Sequence, residues 1–202
     1  MSWINWPNRI TIARTVLIAP LVIGLLNLND WGDAGRRATL VLWLLMGFSD
    51  ALDGFLARRL HEVTVIGKFL DPLSDKLMVT VSVILLAFPA TAIAGHKLPN
   101  WVPVVTIGKD LIIAIGYALV QISTGQQFTI RPRPLGKAST LLEWLMVAAV
   151  LAWPDMPSGW NWVAVACWWL ASTVAVAATV DYVVVGNRFA ATHHKTAARG
   201  RT

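Results

Sequence analysis

Apolar residues run in long blocks along this chain, separated by short polar or basic stretches. The blocks fall at about 10–28, 38–58, 68–94, 100–122, 138–153 and 160–185. All are near the ~20 residues a helix needs to cross a bilayer core, the fifth being the shortest. No period-2 alternation appears, and open strands cannot satisfy their backbone in lipid, so the blocks read as helices. The pattern predicts an all-α integral membrane protein: six transmembrane helices forming one domain over residues 10–187. Residues 1–9 read as an interfacial lead-in and residues 188–202 as a basic, disordered tail.

Composition sharpens this. The chain is 56% hydrophobic with mean hydropathy +0.59, too oily for an ordinary soluble domain. Many of its 11 tryptophans stand near block ends, among them Trp3, Trp31, Trp101 and Trp160, as interfacial aromatics do. The single cysteine, Cys167, excludes an internal disulfide. The net charge of +6 sits at the ends of apolar blocks, which points to lipid headgroups and not to nucleic acid. Of the 17 Lys and Arg, 12 fall on the side of the termini, the 58–68 turn and the 123–137 loop. Both termini and that turn are therefore expected on the cytoplasmic face, as in a bacterial inner-membrane protein. MSWINWPNR has no apolar core before Arg9, so no cleavable signal is expected.

Against this background, Asp50–Asp75 is anomalous. Asp50 and Asp53 are three apart and Asp71 and Asp75 four apart, so on helices each pair shares a face. One carboxylate at the centre of a membrane helix costs roughly 2.5–3.5 kcal/mol, and four would repel one another unless a cation sat among them. Arg58, Lys68 and Lys76 are nearby but do not neutralise four. The set suits Mg²⁺ or Mn²⁺, which take carboxylate oxygens and leave positions for water or phosphate. Zinc is disfavoured, because His61 is the stretch's only His or Cys. Two such metals clamp a phosphoryl or pyrophosphate group. Gly54 and Ala57 leave room on the aspartate face, or serve close helix packing; Arg58 could grip a phosphate with its planar fork. Gly67 could allow a close backbone approach.

The spacing Asp50-x2-Asp53-Gly54-x2-Ala57-Arg58-x8-Gly67-x3-Asp71-x3-Asp75 resembles the signature of the CDP-alcohol phosphotransferase family at every position. Pro7-Asn8-x2-Thr11-x2-Arg14 is similar to that family's opening. The resemblance implies that Asp50, Asp53, Asp71 and Asp75 hold two divalent cations, Mg²⁺ or Mn²⁺, with Asp75 also the base on the acceptor hydroxyl. It implies a CDP site at Gly54, Ala57, Arg58, Gly67, Asn8 and Thr11, CDP-diacylglycerol as donor, CMP as leaving group, and a homodimer. The metal site would lie at the cytoplasmic side of the second and third helices.

The acceptor is less marked. Lys109, Arg131, Arg133 and Lys137 would suit an acceptor that carries phosphate, although Lys109 could instead pair with Asp110 or Glu143, and the arginines could anchor headgroups. The segment around Lys109-Asp110 resembles the Arg-Asp version in CMP-forming cardiolipin synthases, with Lys109 departing from Arg. Leu135-Gly-Lys-Ala-Ser-Thr140 is similar to their loop and, more loosely, to that of phosphatidylglycerophosphate synthases. A glycerol-bearing acceptor is expected, phosphatidylglycerol ahead of glycerol 3-phosphate. A divalent-cation transporter using the same aspartates is the alternative from another class.

Overall fold

A computed structural model describes the backbone of residues 6–60, 65–124 and 133–199, and side chains within 13–50, 73–122 and 133–188. Among these residues there are six α-helices and no strand: α1 (Trp6–Leu26), α2 (Gly32–Leu60), α3 (Val65–Ala87), α4 (Trp101–Thr124), α5 (Pro134–Ala152) and α6 (Trp162–Arg199). Two single turns of 3₁₀ helix, Trp153–Asp155 and Ser158–Trp160, join α5 to α6.

Helix ends depart from the block edges for local reasons. α2 starts at Gly32, ahead of the apolar block, with Asp33 in its first turn against the positive end of the helix dipole. The expected 68–94 helix stops at Ala87, because Pro89 disfavours helical geometry at Phe88. The Thr91 hydroxyl then donates to Leu85 O (2.6 Å), satisfying a last-turn carbonyl. α5 begins at Pro134 rather than 138, proline being suited to a first turn that needs no donor. α6 continues as helix to Arg199, through the stretch expected to be a disordered tail, where alanines favour helix.

α1 packs on α2 and α3; α4 and α5 pack on α6; α2–α5, α3–α4 and α3–α5 contacts join the two groups. The aspartate-bearing helices α2 and α3 are thus central. The core between them holds Leu21 and Leu25 of α1, Trp43 and Met46 of α2, Val83 of α3 and Met146 of α5. α6 buries Ala164, Ala171, Ala175 and Ala178 on one face, and such small residues let helices close up where lipid offers no hydrophobic drive. Gly47 does the same between α2 and α5: a Cβ there would lie 2.3 Å from the Trp144 ring. Trp144 in turn stacks on Trp43, centroids 6.0 Å apart.

The α2 start is locked to the α5 end. Arg36, 2% exposed, donates to both Asp155 oxygens (2.8 and 2.9 Å) and to Leu151 O (2.7 Å). Leu151 O belongs to the last turn of α5, so the guanidinium also meets that helix's negative end.

Among the described residues three segments are long and apolar enough to cross a membrane: Trp101–Ile122, Pro134–Asp155 and Ser158–Arg188. Their outer faces are apolar too, with Ile115, Ile122 and Val180 all more than half exposed. The described residues thus form an all-helical molecule with segments suited to a bilayer.

Candidate active site

Asp50 of α2 and Asp75 of α3 come together on one atom. The Arg14 side chain on α1 is 2% exposed, and its Nη1 donates to Asp50 Oδ1 and lies 3.2 Å from Asp75 Oδ1. Beside them Thr15 and Ser74 share a hydroxyl hydrogen bond of 2.8 Å, fixing α1 against α3. Two carboxylates from different helices therefore share one cation, the Arg14 guanidinium. Among the described side chains no three His, Cys, Asp or Glu cluster. Asp53, Gly54, Ala57 and Arg58 lie on α2, Gly67 and Asp71 on α3, and Asn8 and Thr11 on α1, with side chains outside the described residues. Arg131 lies outside them altogether. Gly67, expected at the end of a turn, follows the start of α3 at Val65.

Asp50 and Asp75 open into a cavity of ≈ 1620 Å³ between α2, α3, α4 and α5, closed at one side by Tyr182 of α6. Its walls are apolar, with Leu44 and Phe48 from α2, Leu73 from α3, Ile113 from α4 and Leu141 from α5. Lys109, Arg133 and Lys137 line the same cavity as the two carboxylates. One space thus holds an anionic corner, a cationic edge and room for hydrocarbon.

The three cations differ in what they have left to offer. Lys109 is 3% exposed and donates to Glu143 Oε1 (2.5 Å) and Ser139 Oγ (3.0 Å), with Asp110 Oδ1 at 3.5 Å. An ammonium has three donors, and here three oxygens surround it. Lys76 extends the chain by donating to Asp110 Oδ1 (2.5 Å), so Lys76, Asp110, Lys109 and Glu143 alternate in sign across α3, α4 and α5. The alternation lets the two buried members, Lys109 and Glu143, neutralise each other while Lys76 and Asp110 stay partly exposed. Arg133 is bonded to Asp181 of α6. Lys137 is exposed, and its ammonium has no partner among the described residues.

The family model for CDP-alcohol phosphatidyltransferase matches residues 4–177, which include the whole of Asp50–Asp75. The chain belongs to this family. It is 34% identical over 156 residues to the CDP-diacylglycerol–glycerol-3-phosphate 3-phosphatidyltransferase of Bacillus subtilis, covering 73% of this chain and 76% of that protein. A protein of the same name from Aquifex aeolicus is 30% identical over 146 residues, covering 72% and 75%. A Schizosaccharomyces pombe fusion named cardiolipin synthase (CMP-forming) / mitochondrial hydrolase is 26% identical over 197 residues, covering 91% of this chain and 31% of that protein. This phosphatidyltransferase is accordingly an enzyme of phospholipid biosynthesis, which displaces the transporter alternative.

The relatives also correct the expected order of acceptors, favouring glycerol 3-phosphate over phosphatidylglycerol. The lean towards cardiolipin rested on Lys109-Asp110 and on the Leu135–Thr140 loop, and the Lys109-Asp110 pair is engaged in joining α3, α4 and α5. Its identity reports helix packing at least as much as acceptor choice. Sequence reasoning missed Arg14 as the shared partner of Asp50 and Asp75, and missed Asp181 and Tyr182. The available signal was a charged residue inside an apolar block, which demands a partner.

Proposed function

We propose that this phosphatidyltransferase moves the phosphatidyl group of CDP-diacylglycerol onto glycerol 3-phosphate and releases CMP. The observation that carries the reading is the single cavity that holds the Asp50–Asp75 carboxylates, the Arg133 and Lys137 cations and a hydrocarbon-sized apolar space. Acyl chains lie along the apolar walls, and the pyrophosphate lies at the anionic corner. The acceptor phosphate is met by Lys137 and Arg133; Arg131, outside the described residues, is assigned to the same role, while Lys109 holds the helices behind them. Glycerol 3-phosphate needs such an edge because its phosphate must leave water for the mouth of an oily site.

Asp50, Asp53, Asp71 and Asp75 would hold two divalent cations, Mg²⁺ or Mn²⁺; when bound, these neutralise the pyrophosphate and the charge developing on the departing CMP. What supports that assignment is the family motif, together with the nearness of Asp50 and Asp75, which lie close enough to share one cation. Asp75 takes the proton of the acceptor hydroxyl. The acceptor oxygen then forms a bond to the lipid-side phosphorus, and the bond from that phosphorus to the bridging oxygen breaks, its electron pair leaving with CMP. Gly54, Ala57, Arg58, Gly67, Asn8 and Thr11 shape the CDP site. We place all six helices across the membrane in a homodimer, with both termini and the site cytoplasmic, so that CMP leaves into water.

Purified protein with CDP-diacylglycerol and Mg²⁺ or Mn²⁺ should release CMP when given glycerol 3-phosphate, and chelation should stop it. CMP release with phosphatidylglycerol alone would reinstate cardiolipin synthesis as the reading.

A further inference from the structure

α6 was left out of the site by every sequence argument, yet two consecutive residues on it grip the cationic edge. Asp181 accepts from the Arg133 guanidinium. Tyr182 accepts at its hydroxyl from the Arg133 backbone N–H (3.4 Å). The same hydroxyl lies 2.8 Å from where a Cβ on Gly136 would stand, so the first turn of α5 closes on the tyrosine only because residue 136 is glycine. Arg133 is the residue before α5, extended at φ −86° and ψ 151°, with no side-chain cap of its own. Both ends of this one residue, guanidinium and amide, are therefore held by α6. Tyr182, Arg133, Gly136 and Lys137 all face the cavity that holds Asp50 and Asp75.

An aspartate within an apolar helix is expensive unless it is paired, and Asp181 is only 21% exposed. A pairing that merely joined α6 to α5 could sit anywhere along the long contact between them; this one sits at the cavity edge. The family match ends at residue 177, so neither residue belongs to the segment that carries the shared chemistry.

We propose that Asp181 and Tyr182 are positioning residues for acceptor recognition, aiming Arg133 and fixing the first turn of α5, with Lys137 on it, towards the acceptor's phosphate. The inference rests on the proposed reading of the basic edge as the acceptor site. Asp181 acts through Arg133, so its loss should be felt by the acceptor and not by the lipid donor.

The test is steady-state CMP release by the full-length protein in lipid nanodiscs, varying glycerol 3-phosphate and CDP-diacylglycerol separately. Asp181→Asn should raise the KM for glycerol 3-phosphate roughly tenfold, the order carried by one charge-assisted hydrogen bond, with kcat and the donor KM within about twofold. Asp181→Glu should recover most of the loss. Tyr182→Phe, which removes one oxygen, should raise the acceptor KM by a smaller factor of about two to five. An unchanged or lowered acceptor KM, a joint shift of kcat and both KM values, no recovery by glutamate, or an Asp181→Asn chain that does not fold would each overturn the proposal. Should the parent protein release no CMP with glycerol 3-phosphate, the acceptor reading itself fails. The same variants are then compared with phosphatidylglycerol, whose phosphate poses the same demand on Arg133.

Discussion

Arg14 places its Nη1 against both Asp50 and Asp75, holding one positive charge between two carboxylates from different helices. Asp75 carries the heavier chemical load in the proposed reaction. Asp75→Asn keeps the shape but cannot accept the acceptor's proton, and should lower kcat by at least about 10²-fold. Rapid quench measurement of CMP checks this, and unchanged release would remove its role as base. The nearness of Asp50 and Asp75 is legible in the sequence, because both belong to one local pattern of charges in apolar helices. Arg14 is not legible in the same way: it lies 36 residues from Asp50, and only folding brings α1 against both aspartate helices. Lys109 shows the reverse difficulty. Its neighbours in sequence suggest a substrate contact, while Ser139 and Glu143, 30 and 34 residues away, occupy its donors.

Among the elements, the Lys109–Glu143 pair joins α4 to α5 with both side chains almost wholly buried. Glu143→Leu alone leaves a buried ammonium short of its closest partner and should destabilise by about 3 kcal/mol, read as a fall in the unfolding midpoint in detergent. Adding Lys109→Met removes the stranded charge and should restore most of the midpoint. If the double variant also recovers activity, Lys109 is a packing residue; if it stays inactive while folded, Lys109 reaches the acceptor. Gly47 governs the α2–α5 seam. Gly47→Ala would press a methyl against the Trp144 indole and should cost about 1–3 kcal/mol, seen in the same melt. The existence of these helices follows from block length and apolarity. Their ends do not, since Pro89, Pro134 and the Asp33 first turn act through backbone geometry that hydropathy ignores.

At the scale of the whole molecule, the proposed orientation rests on the Lys and Arg residues, 12 of 17 of which fall on one side of the expected spans. Arg36 and Asp155 lock the end of the bundle away from Asp50, which lies 14 positions further along α2, ~21 Å of helix. In a Cys167→Ala background, Ser158→Cys should react with an impermeant maleimide added outside intact cells. Lys137→Cys should react only after the cells are opened; the opposite pattern would invert the proposed topology. The hydropathy pattern foresaw an all-helical chain with long apolar segments, and the likeness of the Asp50–Asp75 motif foresaw its family. Neither could foresee that α6 would reach the cavity, because nothing local ties Asp181 to Arg133. The most direct test of the account is a competition: the purified protein is given CDP-diacylglycerol, Mg²⁺ or Mn²⁺, and both glycerol 3-phosphate and phosphatidylglycerol. Mass analysis of the lipid product should find phosphatidylglycerophosphate in step with CMP; cardiolipin as the product would contradict it.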